Sequence, residues 1–253
     1  MKRSSLLLGA VAVGLGFGSL AVAQAETVIS VTQVSYNYKN QPVCTAQRMN
    51  PAVYSSLPSD ACTLGTAGTD GPDRITKNTY DVAGQVTQVD QAYGTSVQRA
   101  YARYTYTNNG LKQTERDANG NTTTYEYDGF DRLNKLRYPV ATVNSTSSST
   151  TDYETYGYDA ANNRTSWRRR DGNTILYTYD SLNREIVKDM PGGTADDLYT
   201  GYDGLGHIVY KRFVSSGGSG VSYAYDGLGR VSSTTDMNGR TLSLGYLSNS
   251  ARQ

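Results

Sequence analysis

A short unit built on tyrosine followed by aspartate recurs along most of this 253-residue chain, and it limits what the chain can fold into. The cleanest copy is Tyr223-Ala224-Tyr225-Asp226-Gly227-Leu228-Gly229-Arg230. The Tyr-Asp step returns at Tyr80-Asp81, Tyr127-Asp128, Tyr158-Asp159, Tyr179-Asp180 and Tyr202-Asp203. Worn copies sit at Val31–Gln41, which keeps a tyrosine pair at Tyr36 and Tyr38 and loses the aspartate, and at Tyr106-Thr107 and Tyr246-Leu247. From Tyr80 to Tyr246 the tyrosines are spaced by 26, 21, 31, 21, 23, 23 and 21 residues. The period is thus 21–23 residues with two insertions, and a fixed period of this size means a stacked array of one supersecondary unit.

The chemistry of the unit is that of a β-hairpin. Tyrosines stand two apart at Tyr104 and Tyr106, Tyr125 and Tyr127, Tyr156 and Tyr158, Tyr177 and Tyr179, and Tyr223 and Tyr225. Residues two apart on a strand share a face, and aromatic residues favour strands. A ladder of tyrosines across stacked units is therefore expected. After each second tyrosine, aspartate is followed three residues later by Gly, Asn or Asp. The pairs are Asp81 and Gly84, Asp128 and Asp131, Asp159 and Asn162, Asp180 and Asn183, Asp203 and Gly206, and Asp226 and Gly229. Aspartate at the first turn position accepts backbone N–H bonds, and Gly, Asn and Asp tolerate a left-handed backbone. These carboxylates are read as turn builders rather than catalytic acids. A second turn, at Asn119-Gly120, Asp171-Gly172 and Asn238-Gly239, closes the unit. The expected fold class is all-β: consecutive antiparallel hairpins forming a curved, spiralling β-sheet, a partial and open shell. The polar stretch 143–151 is expected to be a flexible insertion at a hairpin tip.

The amino-terminal region differs. Met1-Lys2-Arg3, an apolar run from Leu6 to about Val22 and the small residues Ala21-Val22-Ala23-Gln24-Ala25 form the three parts of a secretory signal. Cleavage is expected after Ala25, with Ala23 as the alternative, leaving no stable membrane span. Loss of Lys2 and Arg3 lowers the basic count from 24 to 22 against 23 acidic residues. A near-neutral chain argues against nucleic acid as a partner. Residues 26–73 are read as a degenerate first repeat carrying a loop insertion, and residues 74–253 as tandem repeats truncated at the carboxy terminus. Cys44 and Cys62 are the only cysteines. In an exported protein they read as one disulfide, with two free thiols as the alternative. Such a loop of about 18 residues is stabilised by roughly 3 kcal/mol in the chain-entropy treatment.

The Tyr-Asp-x-x-Gly-Arg core, its period and the tyrosine pairs resemble the Rhs, or YD-repeat, family over roughly residues 30–253. The Cys44–Cys62 segment also resembles an insertion near the amino-terminal side of bacterial members. The resemblance implies a long sheet spiralling into a hollow shell that encloses a toxin in bacterial members. Other members are surface proteins, and the repeats have been associated with carbohydrate. This sequence has no Asp-Pro-x-Gly stretch and ends within a repeat at Ala251-Arg252-Gln253. It is therefore read as an amino-terminal portion of a shell, without the self-cleaving end and without the toxin domain.

Enzyme signatures are lacking. There is no Gly-x-Ser-x-Gly elbow, phosphate loop or His-Glu-x-x-His motif. The single histidine, His207, fills the slot held by Arg184 and Arg230 in other copies. No cofactor or metal site is expected. Trp167, followed by three arginines, is read as a sheet-packing side chain beside a charged strand edge. The expected function is a non-catalytic exported scaffold, part of an encapsulating shell used in toxin delivery or intercellular competition. Its expected location is the periplasm, the cell surface or the medium. Expected partners are further repeats or a separately encoded toxin cargo. The alternative is a module whose tyrosine-rich face binds glycans or a partner protein.

Overall fold

The computed structural model describes residues 3–10, 28–142 and 144–246. The strands are β1 (Arg3–Ala10), β2 (Val28–Tyr36), β3 (Pro42–Arg48), β4 (Arg74–Tyr80), β5 (Val86–Gln91), β6 (Arg99–Tyr106), β7 (Lys112–Asp117), β8 (Thr122–Tyr127) and β9 (Leu133–Pro139). They continue as β10 (Ser148–Tyr158), β11 (Arg164–Arg168), β12 (Thr174–Tyr179), β13 (Glu185–Asp189), β14 (Leu198–Tyr202), β15 (Ile208–Phe213), β16 (Gly220–Tyr225), β17 (Val231–Thr235) and β18 (Thr241–Ser243). Apart from short 3-10 turns at Pro51–Ser56 and Thr194–Asp196, no helix occurs among the described residues. The fold is all-β, and its strands follow one another as antiparallel hairpins. The chain divides into two units, residues 1–125 with 138–149, and residues 126–137 with 150–253.

The first unit is a meander in which each strand from β1 to β8 pairs with the next. Its core lies where the loop between β3 and β4, residues 49–73, folds back over the strands. Cys44 and Cys62 are disulfide-bonded, with Cα atoms 5.2 Å apart, which ties that loop to β3. Cys44, Ala46, Ala61 and Ile75 are buried together, flanked by Val43, Cys62, Leu64 and Tyr93. The loop backbone is held from β2: Gln33 donates to the Pro58 carbonyl at 2.8 Å, and Ser35 Oγ accepts from the Ala61 N–H at 2.8 Å.

Under the same loop lies a buried ion pair. Arg48 Nη1 stands 2.6 Å from Asp73 Oδ2, with the two side chains 0% and 4% exposed. The guanidinium also donates to Gln33 Oε1 and to the Thr63 carbonyl. Asp73 accepts further from the backbone N–H groups of Met49 and Gly65. Burial pushes the Asp73 carboxyl up, but the Met49, Arg48 and Gly65 donors outweigh it and hold the carboxyl below its ordinary value. Every donor and acceptor of this pair is thus matched, as a buried charge requires.

The second unit repeats the meander from β10 through β18. Ile175 and Tyr177 are its buried hydrophobic residues. Trp167 does not mark a strand edge. It lies on β11, opposite Tyr156 of β10 on one side and Ile175 of β12 on the other, and its Nε1–H donates to Glu154 at 3.0 Å.

The expected insertion at 143–151 is shorter than its composition suggests. Ser148–Thr151 already belong to β10. The preceding residues are tied within the first unit: Arg116 donates to the Asn144 carbonyl and Thr122 to the Ser145 carbonyl. Runs of serine and threonine carry no outward sign that their hydroxyls and carbonyls have partners. The export signal expected at residues 1–25 falls largely outside the described residues, while its residues 3–10 form β1.

Replacing Arg48 with alanine is expected to destabilise the first unit by about 3–5 kcal/mol, because it strands the Asp73 charge in a dry site. Urea unfolding of the full chain, followed by amide hydrogen exchange to resolve the first unit, measures this.

Candidate functional site

The tyrosine-aspartate element forms one repeated structural device. In the Asp226 copy, the Asp226 N–H donates to the Arg230 carbonyl and the Gly229 N–H to the Asp226 carbonyl. Asp226 Oδ1 accepts from the N–H groups of Leu228 and Arg230, both at 2.9 Å, and Oδ2 accepts from Arg230 Nε at 2.8 Å. The carboxylate is fully occupied by its own turn. Asp180 with Arg184 and Asp128 with Arg132 repeat this arrangement. Asp159 uses Asn163, and Asp203 uses His207. Asp81 accepts from the Gln85 N–H. In the worn copies Asn37 and Thr107 take the same place and accept from the N–H groups of Gln41 and Leu111.

The fourth turn residue is left-handed throughout, with φ of 90° at Gly84, 61° at Asp131, 68° at Asn162, 59° at Asn183, 91° at Gly206 and 74° at Gly229. Two of the closing turns have the same construction, while the turn at Gly172 is led by Arg169 and uses Asp171 from its third position. Asp117 and Asp236 accept from the N–H groups two and four residues on, and Gly120 and Gly239 take the left-handed position. At Asp117 and Asp236 both ends of the hairpin therefore use one turn chemistry.

Six of the second tyrosines sit at a register shift. The pairing slips by one residue between Ala224 and Tyr225, and likewise at Tyr80, Tyr106, Tyr158, Tyr179 and Tyr202. Such a bulge adds local twist and interrupts pairing. The ladder to the preceding hairpin accordingly stops short: β15 and β16 pair only from Tyr210 and Ser222 away from the tyrosine. The tyrosine hydroxyl closes that gap. Tyr225 donates to the Ile208 carbonyl at 2.8 Å, Tyr202 to Glu185 at 3.0 Å, Tyr179 to Arg164 at 3.0 Å and Tyr158 to Leu133 at 3.0 Å. Tyr246, Tyr106 and Tyr80 do the same to the carbonyls of Val231, Val86 and Pro42. Burial raises the phenol ionisation of Tyr106, Tyr179, Tyr202 and Tyr225, which keeps these hydroxyls as donors.

The residue that follows the left-handed position reaches forward to the next copy. Arg132 donates to the Asp159 carbonyl and Asn162, Arg184 to the Asp203 carbonyl, Asn163 to Asn183, and Gln41 and Gln85 to the carbonyls of Gly84 and Gly110. The same guanidiniums lie over the next tyrosine ring: Arg132 over Tyr158 at 4.7 Å, Arg184 over Tyr202 at 4.5 Å and Arg230 over Tyr246 at 4.2 Å. His207 keeps the arrangement by stacking on Tyr225 at 4.6 Å. This link between copies is missing from the sequence reading, although the recurrence of Arg, Gln, Asn or His at one phase is its signal.

Three of the five first tyrosines, Tyr104, Tyr125 and Tyr177, meet cations on the sheet face. Lys112 lies over Tyr104 and Tyr125, and Arg164 over Tyr177. Tyr156 donates to Glu154, while Tyr223 stands opposite Thr234. Tyrosines of successive copies lie two strands apart, so a cation from the strand between them fills the gap. The third turn residue points to solvent: Phe130, Leu182, Leu205 and Leu228 are 66–85% exposed. In the first unit a cleft of about 340 Å³ is lined by Arg99, Tyr101, Tyr104, Glu115, Asp117 and Asn119. Among the described residues no cluster of three or more His, Cys, Asp or Glu side chains could hold a metal. No helix there is long and apolar enough to cross a membrane.

Turn, bulge and tyrosine bond recurring in phase define a tandem β-hairpin repeat protein. The family model described as RHS Repeat matches residues 106–143 and 158–195. These two segments carry the RHS repeat, as the Tyr-Asp core leads one to expect. No curated protein matches it. Its fold is similar to that in the crystal structure of TcdB2-TccC3-TEV, with a TM-score of 0.59 and 12% identity over 90% of this chain and 11% of that one. The crystal structures of TcdB2-TccC3-Cdc42 and of TcdB2-TccC3 without its hypervariable C-terminal region each give a TM-score of 0.54 at 12% identity. They cover 92% and 88% of this chain, which spans 14% of each of those. At such identities the likeness concerns the fold.

Gly229→Ala is expected to cost about 1 kcal/mol, because alanine is strained at φ 74° and its Cβ would press on His207. Gly229→Asn is expected to cost less, since Asn162 and Asn183 already hold this conformation. Thermal unfolding of both variants measures the difference. The turn carboxylates also set an acid limit. Hydrogen bonds from Arg132, Arg184, His207 and Arg230, helped by backbone N–H groups, hold Asp128, Asp180, Asp203 and Asp226 below the ordinary carboxylate range. Lowered folded-state values contribute stability above the unfolded value of about 3.9, and that contribution is lost as pH falls through the folded value. Stability in urea is therefore expected to drop below about pH 4, and Asp226→Asn to reduce the drop.

Proposed function

We propose that this chain is a non-catalytic scaffold that contributes hairpin repeats to an encapsulating shell, exported from the cell that makes it and serving toxin delivery or intercellular competition. The observation that carries this reading is the state of the aspartates. The most conspicuous acidic residues in the sequence have their oxygens occupied by their own turns, so the repeated chemistry is spent on construction. The RHS repeats and the fold likeness to the TcdB2-TccC3 structures support the same direction. Its partners are further repeats and a cargo. The exposed apolar residues Phe130, Leu182, Leu205 and Leu228, which recur at one turn position, support the first of these, because exposed apolar surface is what an interaction site offers.

A second reading rests on a different observation. The cleft at Tyr101 and Tyr104 combines aromatic rings with the carboxylate of Glu115 and the amide of Asn119, a composition suited to stacking and hydrogen-bonding a sugar. It stands as the alternative, a glycan-binding surface on the same scaffold.

The test is purification of the tagged chain from its native source, followed by electron microscopy and cross-linking mass spectrometry. Hollow particles with this chain in their wall are expected, and Leu182→Ser with Leu205→Ser and Leu228→Ser is expected to reduce their yield. Recovery of the wild-type chain only as a free single copy would overturn the scaffold reading.

A further inference from the structure

Strand β2 is paired on both sides, with β3 along Val31–Tyr36 and with β1 along Val28–Tyr36. The second pairing matches Leu7 with Thr32 and Arg3 with Tyr36 in an antiparallel register. β1 lies wholly within the segment expected to be removed on export. On the export reading above, on which this inference rests, the mature chain therefore presents β2 with one side uncovered.

The pairing on that side slips only at the strand's start, between Ser30 and Val28, and the register with β3 shifts only at Tyr36; Ser30–Ser35 between them carry none of the usual protections of an edge strand. Val28-Ile29-Ser30-Val31-Thr32-Gln33-Val34-Ser35-Tyr36 contains no charge, proline or glycine over nine residues. Edges of this kind pair with other strands unless charge, proline or a bulge prevents it. The strand is also held extended from within its own chain. Val31, Gln33 and Ser35 are buried, and Gln33 and Ser35 are fixed to the 49–73 loop through Pro58 and Ala61. A partner strand thus meets a backbone that is already ordered, which lowers the entropic cost of docking.

We propose that β1 is a temporary cover, and that its removal makes the β2 edge the docking surface for β2 of a second copy of this chain. β1 shows that the edge accepts a strand running antiparallel. Two identical strands related by a two-fold axis run antiparallel to one another, so the pair closes on itself. Centred on Thr32, the pairing sets Val31 opposite Gln33 and Ser30 opposite Val34. With no charge in the strand, no like charges face each other across the axis. Before processing the cover keeps the chain single; after it, the amino-terminal ends join two copies.

The chain made by cell-free synthesis without membranes, in an oxidised glutathione buffer, retains residues 1–25. The same gene expressed through a secretory host gives the exported form. Light scattering is expected to report one copy for the first and twice that mass for the second. Mass spectrometry of the exported amino terminus separates the two ideas. A cleaved chain that stays single would overturn the docking proposal and leave the export reading intact, whereas an uncleaved chain would overturn the export reading and the temporary cover with it. An open-ended series of masses would overturn the two-fold pairing. Thr32→Lys is expected to return the exported form to a single copy. Amide exchange across residues 28–36 of the wild-type exported form is an independent readout, expected to be slowed at least tenfold and to overturn the proposal if it is fast.

Discussion

The structure depends on a backbone ladder that stops too soon. Six hairpins carry a bulge at the second tyrosine, and the twist it introduces separates such a hairpin from the one before it. Carbonyls such as that of Ile208 would be left without a neighbouring N–H. The tyrosine hydroxyl supplies the donor, at 2.8 Å for Tyr225. Phenylalanine would fill the same volume and leave the carbonyl unserved, which accounts for tyrosine at Tyr80, Tyr106, Tyr158, Tyr179, Tyr202, Tyr225 and Tyr246. The sheet thus bends and stays hydrogen-bonded at once, with its side chains completing what the main chain cannot.

Much of this is legible in the sequence because it is local. The turn is fixed by residues within five positions: Asp226, Gly229 and Arg230 announce their roles through residue type and spacing. The hairpin periodicity and the all-β class follow. What the sequence does not display is contact between distant residues. Arg48 and Asp73 are 25 positions apart and carry no mark of being buried together. Arg132 reads as a surface cation until the bulge brings Asp159 and the Tyr158 ring within its reach. Trp167 and its arginines suggested an edge because composition reports exposure and charge, not how many neighbours a strand has.

The two units reach stability by different means. In the first, an inserted loop stapled by Cys44 and Cys62 makes an enclosed core and shelters an ion pair. In the second, few side chains are fully buried, and hydrogen bonds with cation–ring contacts passed from copy to copy carry more of the load. Such arrays are stabilised mainly between nearest neighbours.

The forward reach from each turn to the next has a genetic consequence. Arg184 meets in the Asp203 turn the same backbone carbonyl that Arg132 meets in the Asp159 turn. A copy deleted or duplicated whole therefore brings together two surfaces that already match. A change in length by whole copies leaves no scar in the bonding of the array. A change by part of a copy misaligns tyrosine and carbonyl and is selected against. The repeat is in this sense a unit of inheritance as well as of folding.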